Sequence, residues 1–153
     1  MGTLDQAAHS FTGKPTPRTE VMYKEPGLTY VYTMHTHVLF NVVCGEEGLP
    51  HAVLVRAIEP SAGIALMEQR RPKARRQMDL TNGPGKPCKA MGITMQDYGH
   101  PLQQKPLYIA EGRLASAIES SKRIGIENSG PAKENLWRFY ERDNPFVSRA
   151  KKN

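Results

Sequence analysis

The feature that most constrains this chain is the run at residues 28–43, LTYVYTMHTHVLFNVV. Its β-branched and aromatic side chains suit a pleated backbone. Sixteen residues exceed one ordinary strand, whose length is about five or six. The polar centre, His35-Thr36-His37, predicts a hairpin: a strand near 29–34, a tip, and a second strand near 37–44. The stretch GEEGLP at 45–50 reads as a turn. Residues 51–58 read as a third strand, in which Ala52, Leu54 and Ile58 share a face with Arg56. A guanidinium among apolar neighbours is the oddity of that segment.

Elsewhere short elements alternate with turns. Residues 1–27 read as extended loop, punctuated by Gly13, Pro15, Pro17, Pro26 and Gly27. Residues 61–71 read as a helix with an apolar stripe of Ile64, Leu66 and Met67. Arg70, Arg71, Lys73, Arg75 and Arg76 form a basic connector. The stretch TNGP at 81–84 opens a short helix running to about Met91, and Gly92 stops it. Residues 94–106 read as loop, 107–109 and 123–126 as short strands, 137–140 as a last strand, and 149–153 as a frayed, solvated tail. The sum is a mixed α+β fold, rich in strands, with short helices inserted between them. The 13 glycines and 12 prolines among 153 residues exceed the usual share of ~12% and exclude a helical bundle. The length suits one domain over residues 1–153, large enough to need neither a disulfide nor a structural metal.

The net charge of +6 and a pI near 9.4 favour a polyanionic partner. Two cysteines, Cys44 and Cys88, make no disulfide framework and point to a reducing cytoplasm. No run of ~18 apolar residues spans a membrane. The start, MGTLDQ, has neither the basic nor the apolar part of a signal peptide. Several catalytic motifs fail. Gly85-Lys86 looks like the end of a P-loop, but Leu80 stands where the first glycine belongs and Pro87 where the hydroxyl belongs. The turn still offers backbone N–H groups that suit a DNA phosphate; an ordinary helix cap is the alternative. His35 and His37 have no third ligand at a recognised spacing, so no metal site is expected. His9 and Ser10 are adjacent and point apart, and Glu46-Glu47 read as a solvated turn.

Four stretches taken together resemble the alkyladenine (3-methyladenine, or methylpurine) DNA glycosylase family. They are DQAAHS at 5–10 with TPR at 16–18; Met22-Tyr23, Pro26-Gly27, Tyr30-Val31-Tyr32 and Asn41-Val42; AVLVRAIEP at 52–60; and TNGPGK at 81–86, with RIGI at 123–126 and WRFY at 137–140 behind it. The resemblance implies a single compact domain around a curved antiparallel sheet. It implies a monofunctional glycosylase of base excision repair, acting as a monomer in the cytoplasm (on the nucleoid, in a bacterium) and without metal or cofactor. Its substrate would be duplex DNA containing alkylated or deaminated purines, with the damaged nucleotide flipped into a pocket.

Residue by residue, the resemblance assigns His9 to the border of the flipped base and Tyr32 to stacking on it. Asn41 would crowd the amino group of normal guanine, and Arg56 would help hold the attacking water. A core tyrosine and a structural ion pair are the plainer readings of Tyr32 and Arg56. Arg70, Arg71, Lys73, Arg75, Arg76, Gly83, Gly85 and Lys86 are candidates for the DNA backbone. The hairpin is one residue shorter than the family pattern, so the intercalating position falls on Met34 or His35. The family's catalytic glutamate stands a few residues before the segment matching Met1 to Asp5, and no residue here matches it. Met1 therefore reads as an internal start, and the 153-residue form as catalytically crippled. The alternative is a non-catalytic DNA-binding or damage-recognition fragment. Asp5 and Glu20 are the nearest carboxylates to replace the base.

Overall fold

The structure, a computed structural model, describes residues 2–127 and 129–148. Its strands are β1 (Thr29–Met34), β2 (His37–Val43), β3 (Ala52–Leu54), β4 (Ile118–Ser121) and β5 (Arg138–Glu141). Two α-helices, α1 (Ile64–Arg70) and α2 (Lys86–Met91), lie between β3 and β4. Short 3-10 helices complete a mixed α+β architecture with antiparallel sheets.

The predicted hairpin is present almost residue for residue. β1 and β2 pair from Thr29↔Val42 to Met34↔His37, and β3 joins β2 with Asn41 opposite Leu54. Both faces of this sheet are covered, which is why the run 28–43 is apolar throughout rather than alternating. On one face Tyr30, Tyr32, Leu39, Val43 and Ala52 pack with Leu28 and with Val21 and Met22 from the 3-10 helix Glu20–Tyr23. On the other, Val31 and Phe40 pack with Cys88 of α2 and with Ile93 and Leu102.

Gly92 ends α2 as expected, in the left-handed region at φ 80°. The helix begins later than its turn residues suggest, because residues 81–85 form the turn itself. Gly85 sits at φ 77°, and a Cβ there would stand 2.7 Å from Cβ of His37. Only glycine lets this turn press against the hairpin.

Several expectations are corrected. The third strand stops at Leu54, although Val55 N–H still donates to the Phe40 carbonyl at 3.0 Å. The helix expected over 61–71 is α1, starting at Ile64, and it buries none of its residues: Leu66 is exposed. The stretch 94–106 contains a 3-10 helix, Met95–Asp97, capped by the Thr94 hydroxyl. Residues 107–109 and 123–126 form no strand. The partner of β5 is instead β4, with Ser120 opposite Phe139. The sequence IESS is a weak strand former, and its conformation comes from the neighbour it pairs with. The expected strand at 137–140 is β5 displaced by one residue. The tail at 149–153 lies outside the described residues.

Candidate functional site

A cleft of about 1530 Å3 runs between the Tyr32 face of the first sheet, the turn at 82–86 and β5. Tyr32, Leu54, Arg56, Gly83, Lys86 and Phe139 are among its lining residues. Strand register explains the first of these. Tyr30 pairs with Asn41 and Tyr32 with Leu39, while Asn41 also faces Leu54. Side chains two apart share a face, so Tyr32, Asn41 and Leu54 lie on one surface. Arg56 follows two residues after Leu54, half-buried, at the cleft wall.

His9 arrives from the N-terminal loop. Its imidazole edge meets the Tyr32 ring at 4.6 Å between centroids, with planes at 84°. Its Nδ1 lies 2.7 Å from the Tyr30 hydroxyl. Burial, and then the Arg18 charge, lower the His9 pKa from its ordinary value, so the ring is neutral at pH 7. Burial pushes the Tyr30 phenol up to about 12, and it raises Tyr32 as well. Both tyrosines therefore act as neutral aromatic surfaces. Asn41 is fully buried. Its Nδ2 donates to the Tyr30 carbonyl at 2.9 Å, while its Oδ1 accepts no hydrogen bond among the described residues.

The sequence candidates divide by location. Tyr32 and Asn41 share one sheet face, His9 packs against Tyr32, and Arg56 lines the cleft that Tyr32 also borders. Met34 is the last ladder residue of β1 and lines the cleft. His35 and Thr36 make the tip, at φ 46° and 68°, a conformation that costs a β-branched threonine most. Of the basic connector, Arg70 Nη1 donates to the Ala90 carbonyl at 3.1 Å and Arg71 Nη2 to the Asp79 carbonyl at 3.3 Å. Arg76 grips the Asp79 carboxylate through two nitrogens, at 3.1 and 3.0 Å. Lys73 and Arg75 are exposed. Lys86 Nζ donates to Asn82 Oδ1, which holds the lysine along the Gly83 turn. Among the described residues no group of three or more His, Cys, Asp or Glu is placed to hold a metal ion, and no helix is long and apolar enough to cross a membrane.

Two features escaped the sequence reading. The first is the pair Asp5–Arg123, which joins residues 118 positions apart at 2.6 and 2.8 Å. Arg123 also stacks over Trp137 at 5.3 Å and donates to the Ala132 carbonyl. Burial would raise the Asp5 carboxyl, but the hydrogen bonds from Arg123 and from Ala7 N–H, with the Arg123 charge, outweigh it and leave the pKa below its usual value. Asp5 is thus a weak proton acceptor and a poor substitute for a general base. Glu20 lies exposed at the start of its 3-10 helix. The second feature is Arg18, whose guanidinium lies over the Tyr32 ring, 5.1 Å from its centroid. Its only signal in the sequence was its place in the stretch TPR.

The family model described as methylpurine-DNA glycosylase matches residues 1–145. A protein of Bacillus licheniformis named "Putative 3-methyladenine DNA glycosylase" is 55% identical over 148 residues, which cover 97% of this chain and 75% of that protein. A Bacillus subtilis protein of the same name is 54% identical over 149 residues, 97% of this chain and 76% of its own. A Desulfitobacterium hafniense protein, again of that name, is 47% identical over 156 residues, 96% and 77% of the two chains.

Proposed function

Because this chain belongs to the methylpurine-DNA glycosylase family, we propose that it binds duplex DNA, turns an alkylated or deaminated purine into the Tyr32 cleft and serves hydrolysis of its N-glycosidic bond. The observation that supports this reading is that Tyr32 and Asn41 share a sheet face, His9 meets the Tyr32 ring edge-on, and Arg56 lines the same cleft as Tyr32. Tyr32 offers a neutral ring for stacking. The edge of His9 borders the same space. The buried Asn41 amide penalises a purine whose exocyclic amino group has no room there. Arg56 holds the water that attacks the sugar. An alkylated purine already carries positive charge and leaves readily, so positioning supplies much of the rate.

His35, at the outermost point of the hairpin, fills the gap left in the stack, and Met34 supports it from the cleft side. Lys73 and Arg75, together with the turn of Gly83, Gly85 and Lys86, meet DNA phosphates, while Arg70, Arg71 and Arg76 brace the connector from within.

A second reading, damage recognition without hydrolysis, is favoured by one observation. Asp5, the carboxylate nearest His9 in sequence, is consumed by Arg123. One experiment decides between the two. Duplexes containing hypoxanthine or an N-methylated purine are incubated with the protein, and abasic sites are then revealed by strand cleavage. Excision that disappears in Arg56→Ala supports the glycosylase. Tight lesion binding without excision supports recognition alone. Equal affinity for damaged and undamaged duplexes rejects both.

A further inference from the structure

We infer that Arg18 is a charge filter for the base pocket: its guanidinium, held over the Tyr32 ring, disfavours cationic purines relative to neutral ones. This rests on the reading of Tyr32 as the stacking surface. Geometry carries it further. Arg18 lies 5.1 Å from the Tyr32 centroid, yet it is not among the residues lining the cleft, whereas Tyr32 is. Tyr32 itself is 5% exposed, so Arg18 sits close to the small part of the ring that reaches the cleft.

The backbone at Arg18 is fixed by the fold. The Tyr98 hydroxyl donates to the Arg18 carbonyl at 3.3 Å and accepts from Val21 N–H at 3.2 Å, so the loop is pinned through its backbone. Thr19, the next residue, is buried. Arg18 forms no salt bridge among the described residues, so no carboxylate cancels its charge locally.

The electrostatic consequence is direct. The π face of a tyrosine attracts a cation. With Arg18 already over the ring, a second cation stacked from the cleft gains less and is repelled across roughly 8 Å. A neutral purine such as hypoxanthine stacks without that penalty. Solvent at the exposed guanidinium weakens the repulsion to about fivefold in relative affinity at low salt. The same charge helps keep His9 unprotonated, so the imidazole adds no positive charge beside the Tyr32 ring.

The test compares binding of three duplexes by fluorescence anisotropy: one with N7-methylguanine, which is cationic, one with hypoxanthine, which is neutral, and one undamaged. The proteins are the parent chain, Arg18→Gln and Arg18→Lys. Taking the ratio of the two lesions at one salt concentration cancels the shared phosphate contacts. Arg18→Gln is expected to raise the cationic-to-neutral affinity ratio about fivefold, an effect that shrinks as salt rises. Arg18→Lys keeps the charge and is expected to hold the ratio within about twofold of the parent. An unchanged ratio in Arg18→Gln overturns the filter while leaving the pocket reading intact. Equal shifts in both variants also overturn it, since they trace the effect to packing. A parent chain that prefers neither lesion over undamaged DNA overturns the filter and the pocket reading together.

Discussion

The two sheets of this protein are held by different physics. The first, β1–β2–β3, is buried on both faces, and Tyr30 and Met22 in its core have no exposed surface. The second, β4–β5, has two strands, and Ile118 and Phe139 are each 69% exposed. Its strands are flanked by exposed ion pairs rather than by a packed core. Arg113 grips Glu141 at 2.7 Å, and Arg142 grips Glu119 at 2.6 Å. Arg113's hydrogen bonds, then those of Asn144 and the Ser116 N–H, hold the Glu141 carboxyl well below the usual carboxylate range. Tyr32 and Asn41, the residues proposed to meet the base, sit on the packed sheet. The second sheet supplies the opposite wall of the cleft, and the buried Asp5–Arg123 pair fastens the His9 loop to it.

The sharpest way to break this comparison is to truncate one apolar side chain in each region. Met22→Ala removes a fully buried side chain from the first core and is expected to cost about 2–5 kcal/mol. Phe139→Ala is expected to stay within about 0.5 kcal/mol of the parent. Denaturant melts of the two variants check this, and similar losses would erase the distinction.

Next in size is the tie between the regions. Asp5→Asn leaves the Arg123 charge largely buried without its counter-ion and is expected to cost about 3 kcal/mol at pH 7. The Asp5 pKa is lowered in the folded protein. Its contribution is therefore complete above the unfolded carboxyl pKa of about 3.9 and is lost as pH falls through the lower folded value. The gap between parent and variant should stay constant from neutral pH to about pH 4 and narrow below it. Melts across that range read it directly.

The smallest effect belongs to the rim of the second sheet. Arg142→Gln breaks a pair whose arginine side chain is 59% exposed, and the expected loss is under about 0.5 kcal/mol, vanishing at high salt. A melt at low and at high ionic strength separates this behaviour from that of Asp5→Asn.

How far the sequence could be read tracks the same division. The hairpin was legible because its β-branched and aromatic run, polar tip and flanking turns all act locally. The end of α2 was legible for a similar reason, since Gly92 adopts a conformation that other residues resist. The helix α1 was legible in kind, but not in what it buries: of the apolar stripe, Ile64 and Met67 are half-buried and Leu66 is exposed. β4 was not legible, because IESS becomes a strand only beside β5. Residue 123 was read as part of a strand, whereas its guanidinium reaches back to Asp5, and no local pattern encodes a contact across 118 positions.

The candidate site divides likewise. The identities of His9, Tyr32, Asn41 and Arg56, and their order along the chain, could be read from the sequence, as could the hairpin that carries Tyr32 and Asn41, whereas the register that sets both on one sheet face came from the structure. The resemblance carried by the surrounding stretches supplied those identities. Tertiary structure alone decided that His9 meets Tyr32 edge-on, that Arg18 lies over the same ring, and that Asp5 is held by Arg123 rather than facing a water. Those three outcomes depend on where loops distant in sequence are packed, and a charge or a ring acquires its role from the neighbours that packing brings to it.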